Sequence, residues 1–342
     1  MEGMEIVLPP AEINLPWVEK YRPQSLADMI SHEEITKTLT KFVKLNRMPH
    51  LLFYGPPGTG KTSSILAALN MMYSPKQRKS MVLELNASDD RGIGIVRDEI
   101  IPFAQAKCLH VEKDSTDHKF VILDEADAMT KDAQNALKRV IEKYTSNVRF
   151  CIICNYLSSI IPAIQSRCTR FRFPPLTLDH IKPKLDHVIT EEKLTVTEGG
   201  KRALLKLSGG DMRRVLNILQ SAAMAFKTID ETNIYVCVGQ PTPQHIDKIL
   251  KILMNDSFKS CCQKLQDECG GQGYALVDIL SRLHDVLFEL DLPSNVLICL
   301  IAALAETEQR LAVGSTDRIQ IGGIVGAFMR ARKMIADAAD KQ

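Results

Sequence analysis

Gly55-Pro56-Pro57-Gly58-Thr59-Gly60-Lys61-Thr62 stands between an apolar run, His50–Tyr54 (HLLFY), and an amphipathic stretch, Ser63–Tyr73. The octet satisfies G-x-x-x-x-G-K-[ST], the pattern of a loop that joins a strand to a helix and cradles phosphates. Its glycines let backbone N–H groups close around phosphate oxygens at the positive end of a helix dipole. Lys61 is placed to reach the β- and γ-phosphates of a nucleoside triphosphate, and the Thr62 hydroxyl to bind Mg²⁺. The plain alternative is a structural glycine-rich turn, and the strand–loop–helix context argues against it.

Working outward, Met81–Leu85 (MVLEL), Phe120–Leu123 (FVIL) and Phe150–Cys154 (FCIIC) are further short apolar runs. They read as buried strands of a parallel sheet covered on both faces. Helical patterns such as Asp132–Tyr144 lie between them, which predicts a doubly wound α/β domain. Thr169–Phe173 (TRFRF) alternates apolar and basic residues and reads as a fifth strand at an edge. Pro174-Pro175 closes that pattern and marks a domain boundary. Three short helices are expected next, over Thr177–Lys193, Glu198–Leu207 and Asp211–Phe226. Gly239-Gln240-Pro241-Thr242-Pro243 marks a second boundary, and the remainder has helical spacing, as in Ile246, Ile249, Leu250 and Leu253.

Three further segments belong with the phosphate loop. Asp124 and Glu125 follow the strand Phe120–Leu123; a carboxylate there holds Mg²⁺ through water, and Glu125 is placed to orient and deprotonate an attacking water. An acidic pair in that position is otherwise a helix cap. Asn155 ends the strand Phe150–Cys154, where it serves either as a turn residue or as a partner for the γ-phosphate or the water. The carboxyl ends of parallel strands form one crevice, so Gly55, Asp124 and Asn155 are expected to meet there. In Gly209-Gly210-Asp211-Met212-Arg213-Arg214, Asp211 is an expected N-cap, and an arginine either reaches back to the phosphates or is a surface charge.

Composition bounds the reading. The chain has 342 residues, enough for two or three domains, with 45% hydrophobic and 25% charged residues, which excludes disorder as the main state. The longest strongly apolar run, Val296 to Ala305, is far short of the ~18 residues a membrane span needs. MEGMEIVLPP carries acids where a secretory signal carries bases, so export is not expected. Nine scattered cysteines suggest a reducing compartment. Net charge is +2, yet Lys138, Arg139, Lys143, Arg149, Arg167, Arg170 and Arg172 face only Glu142 between positions 138 and 172. That local excess suits a polyanion, an acidic neighbour or a solvated face.

GPPGTGKT, LDEAD (Leu123–Asp127), the Asn155 strand, Ser166-Arg167-Cys168 and GDMRR together resemble an AAA+ ATPase of the clamp-loader branch. Trp17-Val18-Glu19-Lys20-Tyr21-Arg22-Pro23, Asn86-Ala87-Ser88-Asp89-Asp90-Arg91-Gly92 and Arg170-Phe171-Arg172-Phe173 narrow the likeness to the small subunits of eukaryotic replication factor C, of the type called five in mammals and three in fungi. The likeness runs from about Leu15 to about Ile335. It implies an α/β AAA+ P-loop NTPase module with a doubly wound parallel sheet at 15–174, a helical lid at 175–238 and an all-helical collar at 239–342, after an N-terminal tail at 1–14.

The resemblance also implies roles. Val18 and Arg22 line an adenine pocket beside Gly55, Pro56, Pro57, Gly58, Thr59, Gly60, Lys61 and Thr62. Asn155 and Arg213 are sensors, and Asp124 and Thr62 hold Mg²⁺. Arg167 is an arginine finger acting on the ATP of a neighbouring subunit, where a planar, permanently charged fork suits developing phosphate charge. The implied setting is nuclear: a heteropentamer with other replication factor C subunits, possible membership of alternative clamp loaders, the PCNA sliding clamp, and primer–template DNA held through phosphates. The Lys138–Arg172 run and Arg91–Arg97 are the expected DNA contacts. Asp98–His110 is the expected clamp contact, with Ile100, Ile101 and Phe103 as an exposed apolar anchor. Gly94 departs from the Asp usual in the family and loosens a helix start by ~1 kcal/mol.

Two other readings stay open on the sequence. One is a scaffold that binds ATP and donates Arg167 while its own turnover is dispensable. The other is a helicase-type motor, which requires a DNA-specific C-terminal domain. Cys151 and Cys154 form C-x-x-C, but residues three apart on a strand point to opposite faces and cannot chelate one metal.

Overall fold

The computed structural model describes residues 15–29, 31–106 and 118–339, with the backbone alone at 272, 338 and 339. The expected N-terminal tail and residues 107–110 of the expected clamp contact lie outside the described residues. The chain forms two compact units: residues 1–195 with 204–220, and 196–203 with 221–342. The division expected at 174 and 238 is a different and finer one.

The first unit is built on a parallel sheet of five strands: β1 (Leu51–Tyr54), β2 (Val82–Asn86), β3 (Lys119–Asp124), β4 (Val148–Cys154) and β5 (Thr169–Arg172). Their order is β2-β3-β4-β1-β5. Each internal strand alternates its side chains between two cores, as the two-residue strand period dictates. Leu51 and Phe53, Phe120 and Ile122, and Cys151 and Ile153 pack with Leu39 of helix Glu33–Lys44 and Ile65 and Leu69 of helix Lys61–Met72. Leu52, Val121, Leu123, Phe150, Ile152 and Cys154 face the other way, toward Ile95, Val96 and Ile100 and toward Ala133, Leu137 and Ile141 of helix Lys131–Tyr144. Cys151 and Cys154 therefore lie on opposite faces, and no metal-holding cluster exists among the described residues.

The outer strands differ from the inner ones. β5 is an edge strand, as its alternating sequence predicts. β2 is the other edge, and its residues are half-buried or exposed, not buried as its apolar run suggested; it has a neighbour on one side only. After Gly94 the chain opens as a π-helical segment, Ile95–Ile100, before Ile101–Gln105. Here the expected exposed anchor is corrected. Ile100 is fully buried, and Ile101 and Phe103 pack against the core. Phe103 also holds Lys119: the buried ammonium donates to the Phe103 carbonyl at 3.1 Å and lies 4.7 Å from the ring centroid.

The second unit gathers its core from helices Pro243–Asn255, Phe258–Gln272, Leu276–Glu289, Ser294–Ala312 and Asp317–Ala339. Thr242 caps the first by accepting from the His245 N–H at 3.4 Å, with Pro243 at the helix start. Gly239, at φ +72°, ends helix Glu231–Val238 just before it. The described residues from Pro243 onward are helical between short loops, as the spacing of Ile246, Ile249, Leu250 and Leu253 predicts. No described helix is long and apolar enough to cross a membrane.

Candidate nucleotide site

The sheet register brings the sequence-predicted residues together. Tyr54 pairs with Cys154 on one side and Arg172 on the other, so Gly55, Asn155 and Phe173 leave the sheet at one level. Gly55 turns out of β1 with φ +144°, and a Cβ there would lie 2.0 Å from the Phe173 carbonyl oxygen. Gly58 has φ +68°, and a Cβ there would lie 1.6 Å from Asp211 Oδ1. Both positions need glycine for space as well as for backbone freedom. Asp211 is an N-cap, accepting from the Arg213 N–H at 2.8 Å and the Arg214 N–H at 3.3 Å.

Lys61 is buried at the start of its helix. Its ammonium donates to the Gly55 and Pro56 carbonyls at 2.8 Å each and to Asn155 Oδ1 at 3.0 Å. Burial pushes its pKa down, and the nearby Asp124 carboxylate works in the opposite direction. The Thr62 hydroxyl donates to Asp124 Oδ2 at 2.6 Å, while Asp124 Oδ1 accepts from the Glu125 N–H at 2.9 Å. Glu125 is exposed and holds φ +52°, a left-handed conformation that costs a non-glycine residue ~1–2 kcal/mol. Strain of that kind concentrates at functional sites.

One cavity of the first unit is lined by Val18, Arg22, Pro57, Gly58, Thr59, Gly60, Lys61, Thr62, Asp124, Glu125, Asn155 and Arg213. Gly55 and Pro56 contribute through the carbonyls that hold Lys61. Arg22 also pairs with Glu19 at 2.9 Å. Arg167 is not among the lining residues. Its guanidinium pairs with Glu142 and donates to the Ala163 carbonyl at 2.6 Å. The lining also includes Met29, Ser31, Leu176, Met212 and Leu216, which the sequence reading missed. Met212 and Leu216 flank Arg213 at helical spacing, and that was the available signal.

The expected DNA-facing bases are spread over helix Lys131–Tyr144, β4, a turn and β5. Arg149 is not a free surface charge. It is half-buried, donates to the Met48 carbonyl at 2.7 Å and to the Thr145 carbonyl, and contacts His118 Nε2 at 2.8 Å. Arg170 and Arg172 are exposed, as are Arg91 and Arg97.

Residues 51–176 match the family model described as ATPase family associated with various cellular activities (AAA). Residues 241–327 match the replication factor C C-terminal domain, so the helicase-type reading, which required a DNA-specific domain there, is not supported. Probable replication factor C subunit 5 of Caenorhabditis elegans is 55% identical over 326 residues, covering 94% of this chain and 89% of that protein. Replication factor C subunit 5 of Mus musculus is 53% identical, covering 95% of each chain. Replication factor C subunit 3 of Schizosaccharomyces pombe is 50% identical, covering 95% of this chain and 94% of that protein. A solved RuvB structure from Thermotoga maritima superposes with a TM-score of 0.51 at 14% identity, covering 77% of this chain and 91% of the other; this likeness shows the fold alone. With about half its residues shared with these relatives across nearly the whole length, the chain belongs to the replication factor C subunits, AAA ATPases with a helical C-terminal domain.

Proposed function

We propose that this chain binds ATP with Mg²⁺ in the cavity around Lys61 and hydrolyses it efficiently only inside a ring of related subunits. The residues fit that ligand. A buried ammonium lies among loop glycines of positive φ, and a hydroxyl and a carboxylate present oxygens 2.6 Å apart, the donor chemistry a small hard cation takes. Thr62 and Asp124 would hold the cation, partly through water, and the cation would neutralise charge on the phosphates. Lys61 and the loop N–H groups bind and orient the phosphates. Asn155 and Arg213 fix the γ-phosphate end, and Val18 and Arg22 cover the base. Glu125 orients the water and takes its proton.

The observation that carries the in-trans reading is the position of Arg167. It is held by Glu142 and is not a lining residue of this chain's own cavity. Among the described lining residues the arginines are Arg22 and Arg213, read as base wall and sensor, so the finger is expected from a neighbour, and Arg167 is the one this chain can lend. We further infer the three-part division into a module at 15–174, a lid at 175–238 and a collar at 239–342. The assembly is read as a nuclear heteropentamer of replication factor C subunits that opens the PCNA clamp and loads it on primer–template DNA; a share in alternative loaders follows the same reading. Phosphate contacts fall to the exposed bases, Arg170 and Arg172 among them, with Arg149 withdrawn. ATP turnover of the purified chain against the reconstituted pentamer is the test: equal rates per site would overturn the shared-site reading.

A further inference from the structure

The wall of the cavity formed by residues 17–22 has little to hold it in place. Helix Trp17–Lys20 has four residues, no side-chain cap and no buried residue. A helix that short is not stable by itself in water. Three long-range polar contacts anchor it, all within the first unit. The Trp17 N–H donates to Gln220 Oε1 at 3.1 Å. The Tyr21 hydroxyl donates to Glu192 Oε1 at 2.6 Å, and the Lys20 ammonium donates to the same oxygen at 2.7 Å. Glu192 ends helix Leu178–Glu191, and Gln220 lies in helix Met212–Ala225. His187, one turn before Glu192, meets the Tyr21 ring edge to face at 6.2 Å between centroids.

We propose that Glu192 is a positioning residue for nucleotide binding, a latch that holds the segment Trp17–Arg22 against the cavity so that Val18 and Arg22 are in place before the base arrives. The proposal rests on the reading of this segment as the base-covering wall. Charge agrees with the geometry. The Lys20 and Tyr21 donors keep the Glu192 carboxyl below the usual carboxylate range, so it is ionised at neutral pH and accepts from both. Burial, reinforced by Glu192, pushes the Tyr21 phenol up to about 12, so it remains a donor. A wall ordered beforehand spares the ligand the entropy of ordering it, and that saving appears as affinity. Glu192 does not itself line the cavity and touches it only through the Trp17–Arg22 segment, so its effect is expected at the base end of the ligand.

Binding of ATP and of inorganic tripolyphosphate to the purified full-length chain tests this, on wild type, Glu192→Ala and Glu192→Gln. Wild type is expected to prefer ATP. Glu192→Ala is expected to bind ATP about tenfold more weakly, with tripolyphosphate affinity unchanged. Glu192→Gln keeps an oxygen acceptor and is expected to remain within about threefold of wild type for ATP. Undiminished ATP binding by Glu192→Ala overturns the latch, and so does an equal loss for both ligands, which is the signature of general damage. If wild type itself shows no preference for ATP, the base-wall reading fails first and the latch falls with it. Should Glu192→Ala not fold, the Lys20→Met/Tyr21→Phe double variant removes both donors and is read against the same two ligands.

Discussion

Asn155 Oδ1 accepts the Lys61 ammonium at 3.0 Å, joining the end of β4 to the phosphate loop across 94 positions of sequence. The contact follows from the pairing of β1 with β4, which ends Tyr54 and Cys154 at one level. Truncating Lys61 to alanine removes the only ammonium of the loop. Hydrogen bonds to charged groups contribute ~1.5–3 kcal/mol each, so nucleotide affinity is expected to fall by at least about 100-fold. Asn155→Ala leaves Lys61 its two carbonyl partners and removes one charge-assisted bond of ~1.5–3 kcal/mol, which predicts a loss of roughly 10- to 150-fold, at or below that of Lys61→Ala. Titration with a fluorescent ATP analogue measures both.

Glu125→Gln retains shape and keeps the backbone N–H that donates to Asp124. It removes the proton acceptor. Binding is therefore expected to stay near wild type, while single-site turnover falls roughly 10²–10⁴-fold. Phosphate release in the reconstituted complex reads the rate. Full clamp loading by the variant would show that turnover at this site is dispensable.

Arg167→Ala is expected to leave ATP affinity of this chain's own cavity intact and to slow hydrolysis at the adjoining subunit by roughly 10³–10⁵-fold. The Glu142 partner is exposed, and exposed pairs contribute under about 1 kcal/mol, so the melting temperature should move little. Weakened binding at this chain's own cavity would refute the in-trans assignment.

His50 supplies a pH dependence. Its ring is buried, and Nδ1 accepts from the Phe150 N–H at 3.2 Å. Burial, with Arg149 and His118 adding to it, lowers its pKa to about 4 from the usual 6.5. The unfolded chain therefore binds the extra proton first. Stability from this residue is complete above about pH 6.5 and is lost as pH falls toward 4, by up to ~3 kcal/mol. Urea unfolding between pH 4 and 7 should show this slope, and His50→Gln should flatten it.

The phosphate loop, the acidic pair after β3, the edge character of β5 and the helical C-terminal region were all legible in the sequence. Each is written in neighbouring residues: glycines that permit a turn, alternation that fits a pleat, and apolar spacing that fits a helix. Ile100 was misread because an apolar residue on a short helix looks the same whether it faces a core or a partner; only the packing of Ile95–Gln105 on β3 and β4 put it inside. Arg149 was misread for a similar reason, since a charge count cannot reveal which carbonyls surround a guanidinium. By itself, then, the chain's order of residues determined its elements and the identities of its phosphate-binding groups, because those depend on chemistry within a few residues. The partners of Glu192 and Glu142, and the approach of Gly58 to Asp211, were decided by tertiary structure alone. Those contacts join segments 25 to 172 positions apart, and only the strand order and the helices laid on it bring them within hydrogen-bond or van der Waals reach.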